Sequence, residues 1–480
     1  MTVSCSIRRV VAVLVVALVA APALAAEGEA NGDAKANWGQ WRGPLGTGVS
    51  PGADPPVKWG EKQNVKWKVK LPGRGTSTPI VWGNKVFIQA AVPVEKKAVA
   101  ANERPDEAAP VVLVQDRGPG GRRGPGGPGG PGGRGGGRGG FGGGQPPTEP
   151  HQFVLLCLDR ATGKTLWQKV AREEVPHEGH HRDHGFASHS PVTDGKHVWS
   201  YFGSRGIHCF DMDGNVKWQK DLGRMQTKNS FGEGSSPALH GNTLVVLWDH
   251  EGPDFIAAFD ATTGEEKWRT PREEDTTWAT PLVVEHDGKA QVVVPATGRV
   301  RSYDLRTGEQ VWETEGLTPN AIPSPVAADG MVYVMSGFKG SKLLAIKLGR
   351  TGDLTGTDSI AWTHNRQTPY VPSPLLYDHR LYFFASNNAM LSVFDARTGK
   401  PLVNGERIDG PEGVYASPVG AGGRVYLVGR NGTTAVIKHG DKLEELATNV
   451  LDERIDSSPA VAGKELFLRG QEHLYCIAAE

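Results

Sequence analysis

The stretch Asp260-Ala261-Thr262-Thr263-Gly264-Glu265-Glu266-Lys267-Trp268 decides the fold of this chain. Asp and Thr side chains can fasten a tight turn through local backbone hydrogen bonds, Gly supplies the positive φ such a turn needs, and a strand carrying Trp follows. The same grammar recurs at Asp159, Thr162, Gly163 and Trp167, and again at Asp304, Thr307, Gly308 and Trp312. Asp211, Gly214 and Trp218 form a shortened copy, and Asp395, Thr398 and Gly399 keep the turn with Val403 in the place of Trp. Each Trp is expected to pack between neighbouring repeats as structural mortar.

Working outward, a small residue followed by Pro marks the start of each repeat, at Pro79, Pro191, Pro237, Pro281, Pro325, Pro374, Pro418 and Pro459. From Pro191 onward the repeat length is that of one four-stranded propeller blade. Asp194-Gly195, Asp287-Gly288 and Asp329-Gly330 supply tight hairpins inside the blades, and β-rich runs such as Met331–Val334 follow them. Eight signals predict an all-β, eight-bladed β-propeller of four-stranded blades over residues 37–480. The chain ends soon after Tyr475-Cys476-Ile477, leaving the last blade without its outer strand. Val65–Val69 has that strand's character, so the ring is expected to close through the N-terminus and hide an open edge. Cys157, Cys209 and Cys476 take equivalent places in neighbouring blades, too far apart for a disulfide, and are expected as free thiols.

Lys plus Arg and Asp plus Glu number 53 each, so net charge gives no argument for a nucleic-acid partner or an anionic membrane. Arg8 and Arg9 precede an apolar run from Val10 to Ala21, and Ala23-Leu24-Ala25 offers a small-residue cleavage site. Residues 1–25 therefore read as a signal peptide and the mature chain as exported, periplasmic or secreted, with no transmembrane segment. Residues 91–150 interrupt blade one. They contain Gly118 to Gly144, almost wholly Gly, Pro and Arg, which reads as a disordered tether.

No nucleophile elbow, metalloprotease helix motif or nucleophile–base pair stands out, so no catalytic residue is assigned. His177, His180, His181, His184 and His189 crowd the link into blade two, but Pro176, Gly179 and Gly185 deny them a shared helical face. They read as a polar loop at the channel mouth and not as a metal site, with Glu178 and Asp183 unremarkable among them. The links that enter each blade vary while the turns at the opposite end repeat, and variable loops on a repetitive scaffold are where binding chemistry lives. The candidate ligand- or partner-binding residues are His180, His181, His184, Glu233, Trp278, Asn320, Tyr370, Tyr415 and Arg454. Their mixture suits a protein segment or a small polar ligand on the channel face; the alternative is that they only plug the mouth.

Asn37-Trp38, Trp41-Arg42-Gly43-Pro44, Asn64-Val65, Trp67-Lys68, Gly232–Pro237 and Leu446–Asn449 carry a family resemblance. With the repeats, they resemble the pyrroloquinoline-quinone (PQQ)-like propellers, including the BamB-like outer-membrane assembly type and above all the secreted propellers of planctomycete-type bacteria. Within that resemblance, export, repeats that serve packing and the lack of a catalytic constellation favour the non-enzymatic branch, a binding or scaffolding module of the kind used in envelope protein assembly, with no cofactor. Its other branch, the PQQ-dependent alcohol dehydrogenases, implies PQQ with calcium over the ring axis. Against that branch, the chain lacks an adjacent Cys-Cys pair and shows no alignable calcium-binding set.

Overall fold

The computed structural model describes residues 1–2, 34–94 and 143–479. Most of the expected signal peptide, from residue 3 on, and the Gly-rich run through residue 142 lie outside the described residues. Where the insertion was expected to begin, the strand Lys85–Pro93 instead continues to Pro93 and pairs with His151–Asp159 along its whole length, because Ala91 and Val92 still face a partner strand.

Eight antiparallel sheets, each of at least four strands, make an eight-bladed β-propeller. The inner strands are short, such as Ile80–Trp82 and Val419–Ala421, and the middle strands are buried on both faces between neighbouring blades. Double-sided burial explains their continuous apolar runs, for instance Val154–Leu156 and Leu343–Ile346. Blade four carries an added strip, Gly352–Asp353, parallel to Gln310–Glu315. The ring closes as expected: Val65–Lys70 is the outer strand of blade eight and pairs antiparallel with His473–Ala478, Trp67 opposite Cys476. Cys157, Cys209 and Cys476 are buried and free. Burial pushes the thiols of Cys157 and Cys209 up to about 12.

The Trp turns form a clasp at one end of the blades. The indole N–H groups of Trp67, Trp167, Trp218, Trp268 and Trp362 donate to the carbonyls of Arg160, Met212, Ala261, Leu305 and Ala396 at 2.8 to 3.1 Å. Each acceptor directly follows the turn Asp of the next blade. The ring of each Trp lies on the turn Gly of that blade; a Cβ on Gly264, whose φ is +76°, would stand 2.7 Å from the Trp218 ring.

Trp312 departs from the expected mortar role. It is fully buried and donates to Gln291 Oε1 of its own blade at 3.1 Å. Blade five has no Asp-x-x-Thr-Gly turn to receive it, only the longer run that carries Gly352–Asp353. The seam between blades seven and eight also lacks a clasp Trp. There Trp59 from the N-terminal segment stacks on Tyr426, and Asn449 holds the segment by accepting Trp59 N–H at 2.8 Å and donating to the Val57 carbonyl at 3.0 Å.

Candidate site at the channel mouth

Each blade enters the ring through a residue locked in extended conformation by the Pro that follows it. These residues are Thr78, Ser190, Ser236, Thr280, Ser324, Ser373, Ser417 and Ser458. Their backbone N–H groups have no strand partner on the axial side, so they turn to the neighbouring blade. Thr78 donates to the Ser190 hydroxyl, Ser190 to Ser236, and so on to Ser417 and Ser458, seven bonds of 2.8 to 3.0 Å. The result is a belt of eight hydroxyl oxygens around the axis, and all eight line one cavity of about 400 Å³.

The N-terminal segment forms the floor of that cavity. It is bonded to the turn end of the inner strands on both sides of the ring. Trp38 donates to the Val81 carbonyl, Gly39 accepts from Thr193, Thr47 from Leu376, and Gly48 from Gly420. Between those anchors Trp41 faces the cavity, and buried Arg42 donates to the carbonyls of Pro374 and Pro418 at 2.7 and 3.2 Å. The cavity therefore opens on the face that carries the inter-blade links.

At that opening the His-rich link crosses the mouth. It is pinned on its own side, where Thr227 donates to Glu178 Oε1 and His181 N–H donates to the Phe231 carbonyl. Its tip reaches past blades one and eight to the blade seven–eight link. Asp183 Oδ1 accepts from Arg430 and from Arg454, both at 2.8 Å, and Asp456 pairs with the same two arginines at 2.6 and 2.9 Å. Tyr415 donates to Asp183 Oδ2 at 3.3 Å, and the Arg430 guanidinium lies 3.7 Å above the Tyr415 ring. The two carboxylates and two guanidinium groups form a neutral, half-buried latch. Asp183, read from sequence as unremarkable, is its keystone.

The latch divides the mouth into two lobes. His181, His184, Trp278, Tyr370 and Tyr415 line the axial lobe with Phe231 and Phe338. Tyr370 stacks on Phe338 with ring centroids 4.9 Å apart. His180 and Arg454 line a second lobe of about 470 Å³ beside blades one and eight, which shares Thr76, Asp183, His184, Asp456 and Ser457 with the first. Asn320, buried at φ +60°, backs Tyr370 and does not line either lobe. Glu233 is placed differently from expectation. Its carboxylate turns away from the axis, accepting from Ser204 N–H and hydroxyl at 2.7 and 2.6 Å and from Arg205 at 3.2 Å. There it helps compensate the buried charge of Arg205.

Burial lowers His184 to about 4 and His189 to about 3, so both are neutral imidazoles at neutral pH. The other loop histidines are engaged locally, His180 Nδ1 with the His181 carbonyl at 2.8 Å and His177 Nε2 with the Met225 carbonyl at 2.7 Å. Among the described residues no group of three or more His, Cys, Asp or Glu is placed to hold a metal ion. Calcium takes 6–8 oxygen ligands, with carboxylates carrying most of the charge. The carboxylates lining the lobes, Asp183 and Asp456, are already neutralised by Arg430 and Arg454. The axial lobe has room for a planar molecule, but these residues do not fit a calcium-bound quinone.

Sequence reasoning missed Trp41, Phe231, Phe338, Asp183, Arg430 and Asp456. Only Trp41 carried a signal, as part of a family-like motif ahead of the first repeat.

Comparison with known proteins gives a consistent picture. A family model described as outer membrane protein assembly factor BamB matches residues 151–228 and 207–437. The outer membrane protein assembly factor BamB of Kangiella koreensis is 30% identical over 132 residues, which is 26% of this chain and 31% of that protein. The match thus spans about a third of that relative's length. Among solved structures, a europium-containing methanol dehydrogenase aligns over 92% of this chain and 98% of its own, with a TM-score of 0.54 and 9% identity. The quinohemoprotein alcohol dehydrogenase ADHIIG from Pseudomonas putida aligns over 93% and 81%, with a TM-score of 0.52 and 10% identity. At such identities these two structures share the fold alone.

Proposed function

The chain belongs to the BamB family of PQQ-like β-propellers, and from that premise we propose that it is an exported, non-enzymatic binding module whose link face captures a protein segment during envelope protein assembly. The observation that carries this reading is the one-sided cavity. Aromatic rings and a hydroxyl belt line it, Trp41 floors it, and it opens only where the links vary. Aromatic side chains that present large area at low entropic cost are the usual anchors of a protein contact. Tyr370 and Phe338 are the pair best placed for this, because neither carries the loop framework. Trp278 donates to the Gly232 carbonyl at 2.7 Å and Tyr415 supports the latch, so both have structural duties besides.

Export, with removal of residues 1–25, belongs to the same proposal, as does the absence of a resident cofactor. Among the described residues no helix is long and apolar enough to cross a membrane. The test is co-purification from the native envelope with the full chain and with a Phe338→Ala, Tyr370→Ala double variant. The reading expects a discrete protein set that the variant loses while its melt stays close to that of the parent. Retention of the same set by the variant would refute it. Titration with PQQ and Ca²⁺ separates the dehydrogenase alternative, which requires tight, calcium-dependent uptake and dye-linked alcohol oxidation.

A further inference from the structure

Four arginines are buried among the described residues: Arg42, Arg205, Arg272 and Arg469. Two follow the usual rule that a buried charge is paired. Arg205 lies against Glu174 and Glu233, and Arg272 makes a two-pronged contact with Asp249 at 2.7 and 3.0 Å. The other two have no carboxylate partner. Arg42 lies under the axial lobe and bonds only to backbone carbonyls. Arg469 lines the second lobe. Its Nη1 reaches the Ser77 carbonyl and hydroxyl at 3.2 and 2.5 Å, and its Nε and Nη2 have no partner. Burial alone drags both guanidinium groups down to about 9. An uncompensated buried cation is strongly destabilising, so Arg469, with two open donors beside the second lobe, calls for a compensating anion.

The lining points the same way. Besides the latch, in which Arg430 and Arg454 offset Asp183 and Asp456, the second lobe meets Arg74, Arg182 and Arg469. Among the described residues the Arg74 side chain makes no hydrogen bond or ion pair. In the adjoining axial lobe, seven belt hydroxyls accept an N–H from the preceding blade, and none of the eight donates its own proton to a protein acceptor. The whole mouth is thus rich in donors and positive charge, with aromatic walls.

We propose that the two lobes form one site for a compact oxyanion, a phosphate or carboxylate group, held beside Arg469 and Arg74 and carried on an aromatic or apolar body that lies in the axial lobe against Tyr370. This rests on the link face being the binding face, and it adds the chemistry that face selects. The oxyanion accepts from the open guanidinium donors, and the body displaces water from the aromatic wall. A lobe of about 470 Å³, walled by the latch, suits one anionic group and not a polyanionic strand laid across a surface.

The test is calorimetry on the full chain with phenyl phosphate, benzoate, inorganic phosphate and benzyl alcohol. Phenyl phosphate or benzoate should bind at least about tenfold more tightly than benzyl alcohol, which has the same ring without the charge, and binding should weaken with added salt. The phenyl phosphate to benzoate ratio tells which oxyanion is preferred, and inorganic phosphate reports what the arginine-lined lobe does alone. Arg74→Gln should weaken the better ligand several-fold with an unchanged melt. Arg469→Gln should weaken it further, and if that variant does not fold, Arg182→Gln takes its place beside Arg74→Gln. Equal affinity for benzyl alcohol, no uptake of any anion, or indifference to Arg74→Gln would overturn the proposal. A chain that loses its envelope partners with Phe338→Ala and Tyr370→Ala, yet binds no phenyl phosphate, keeps the proposed function and loses this inference. Anion uptake without partner capture does the reverse.

Discussion

The two faces of the ring are built on opposite principles. On the turn face five clasps repeat the same three groups, an indole N–H, a carbonyl after Asp, and a Gly under the ring. On the link face the loops differ from blade to blade, and the decisive contacts reach past a neighbouring blade, with Asp183 from the blade one–two link meeting Arg430 of blade seven and Arg454 of the blade seven–eight link. Repetition binds each blade to its neighbour, and irregularity gathers charge and aromatic surface at one place. A propeller can therefore hold its ring with one set of residues and vary its ligand with another.

The sharpest way to break the comparison is to open the ring. Deleting residues through Leu71 removes the outer strand of blade eight, the Trp67 clasp, the Trp59 seam and the Trp41 floor together. The melting temperature should fall by more than about 10 °C, or the chain should fail to accumulate, since a bare strand edge is left exposed. An unchanged melt would show that the N-terminal strand is ornamental.

A single clasp should matter less, but still clearly. Trp268 is buried, bonds to the Leu305 carbonyl and covers Gly308. Trp268→Ala should cost about 3–5 kcal/mol by denaturant unfolding, the usual range for a large aromatic in a core. Partner capture on the other face should persist in the folded fraction. Loss of capture at full occupancy of the native state would mean that the two faces are not independent.

A pH titration with a targeted variant probes two buried histidines of the link face. His184 and His189 have folded pKa values of about 4 and about 3, below the unfolded value near 6.5, so between these limits the unfolded chain binds more protons. Stability contributed by keeping them neutral is fully present above pH 6.5 and is lost as pH falls toward 4. Asp254, raised to about 6 by burial, acts in the opposite sense between pH 6 and 4, where its native state holds the extra proton. The two histidines together outweigh it, so the melt should fall on acidification from pH 7 to 5. A His184→Asn, His189→Asn double variant should flatten that slope, and an unaltered slope would place the acid sensitivity elsewhere.

Much of the turn face was legible in the sequence because its contacts are local or displaced by one repeat. Asp260, Thr263, Gly264 and Trp268 announce both the turn and the strand, and the Pro spacing counts the blades. Even there Trp312 misled, since its partner turn is missing from the following blade and no reading of Trp312's own repeat shows that. The hydroxyl belt was half visible: Ser-Pro marked each blade, but that the hydroxyls join neighbouring blades depends on ring closure. The link face was legible only as a location. Nothing near Asp183 signals that Arg430 and Arg454 will meet it, and Glu233 looked available until Arg205 was placed beside it.

The smallest effect on stability and the most direct test come together at Tyr370, whose ring rests on Phe338 beside the axial lobe. A photocrosslinking amino acid placed at Tyr370, and in a parallel chain at the exposed turn residue Arg306, can be activated in the native envelope. The account predicts a discrete set of protein adducts from position 370, none from position 306, and melts within about 2 °C of the parent for both, as befits changes outside the core. Equal crosslinking from the two positions, or adducts from 306 alone, would contradict the claim that the link face is where this propeller binds.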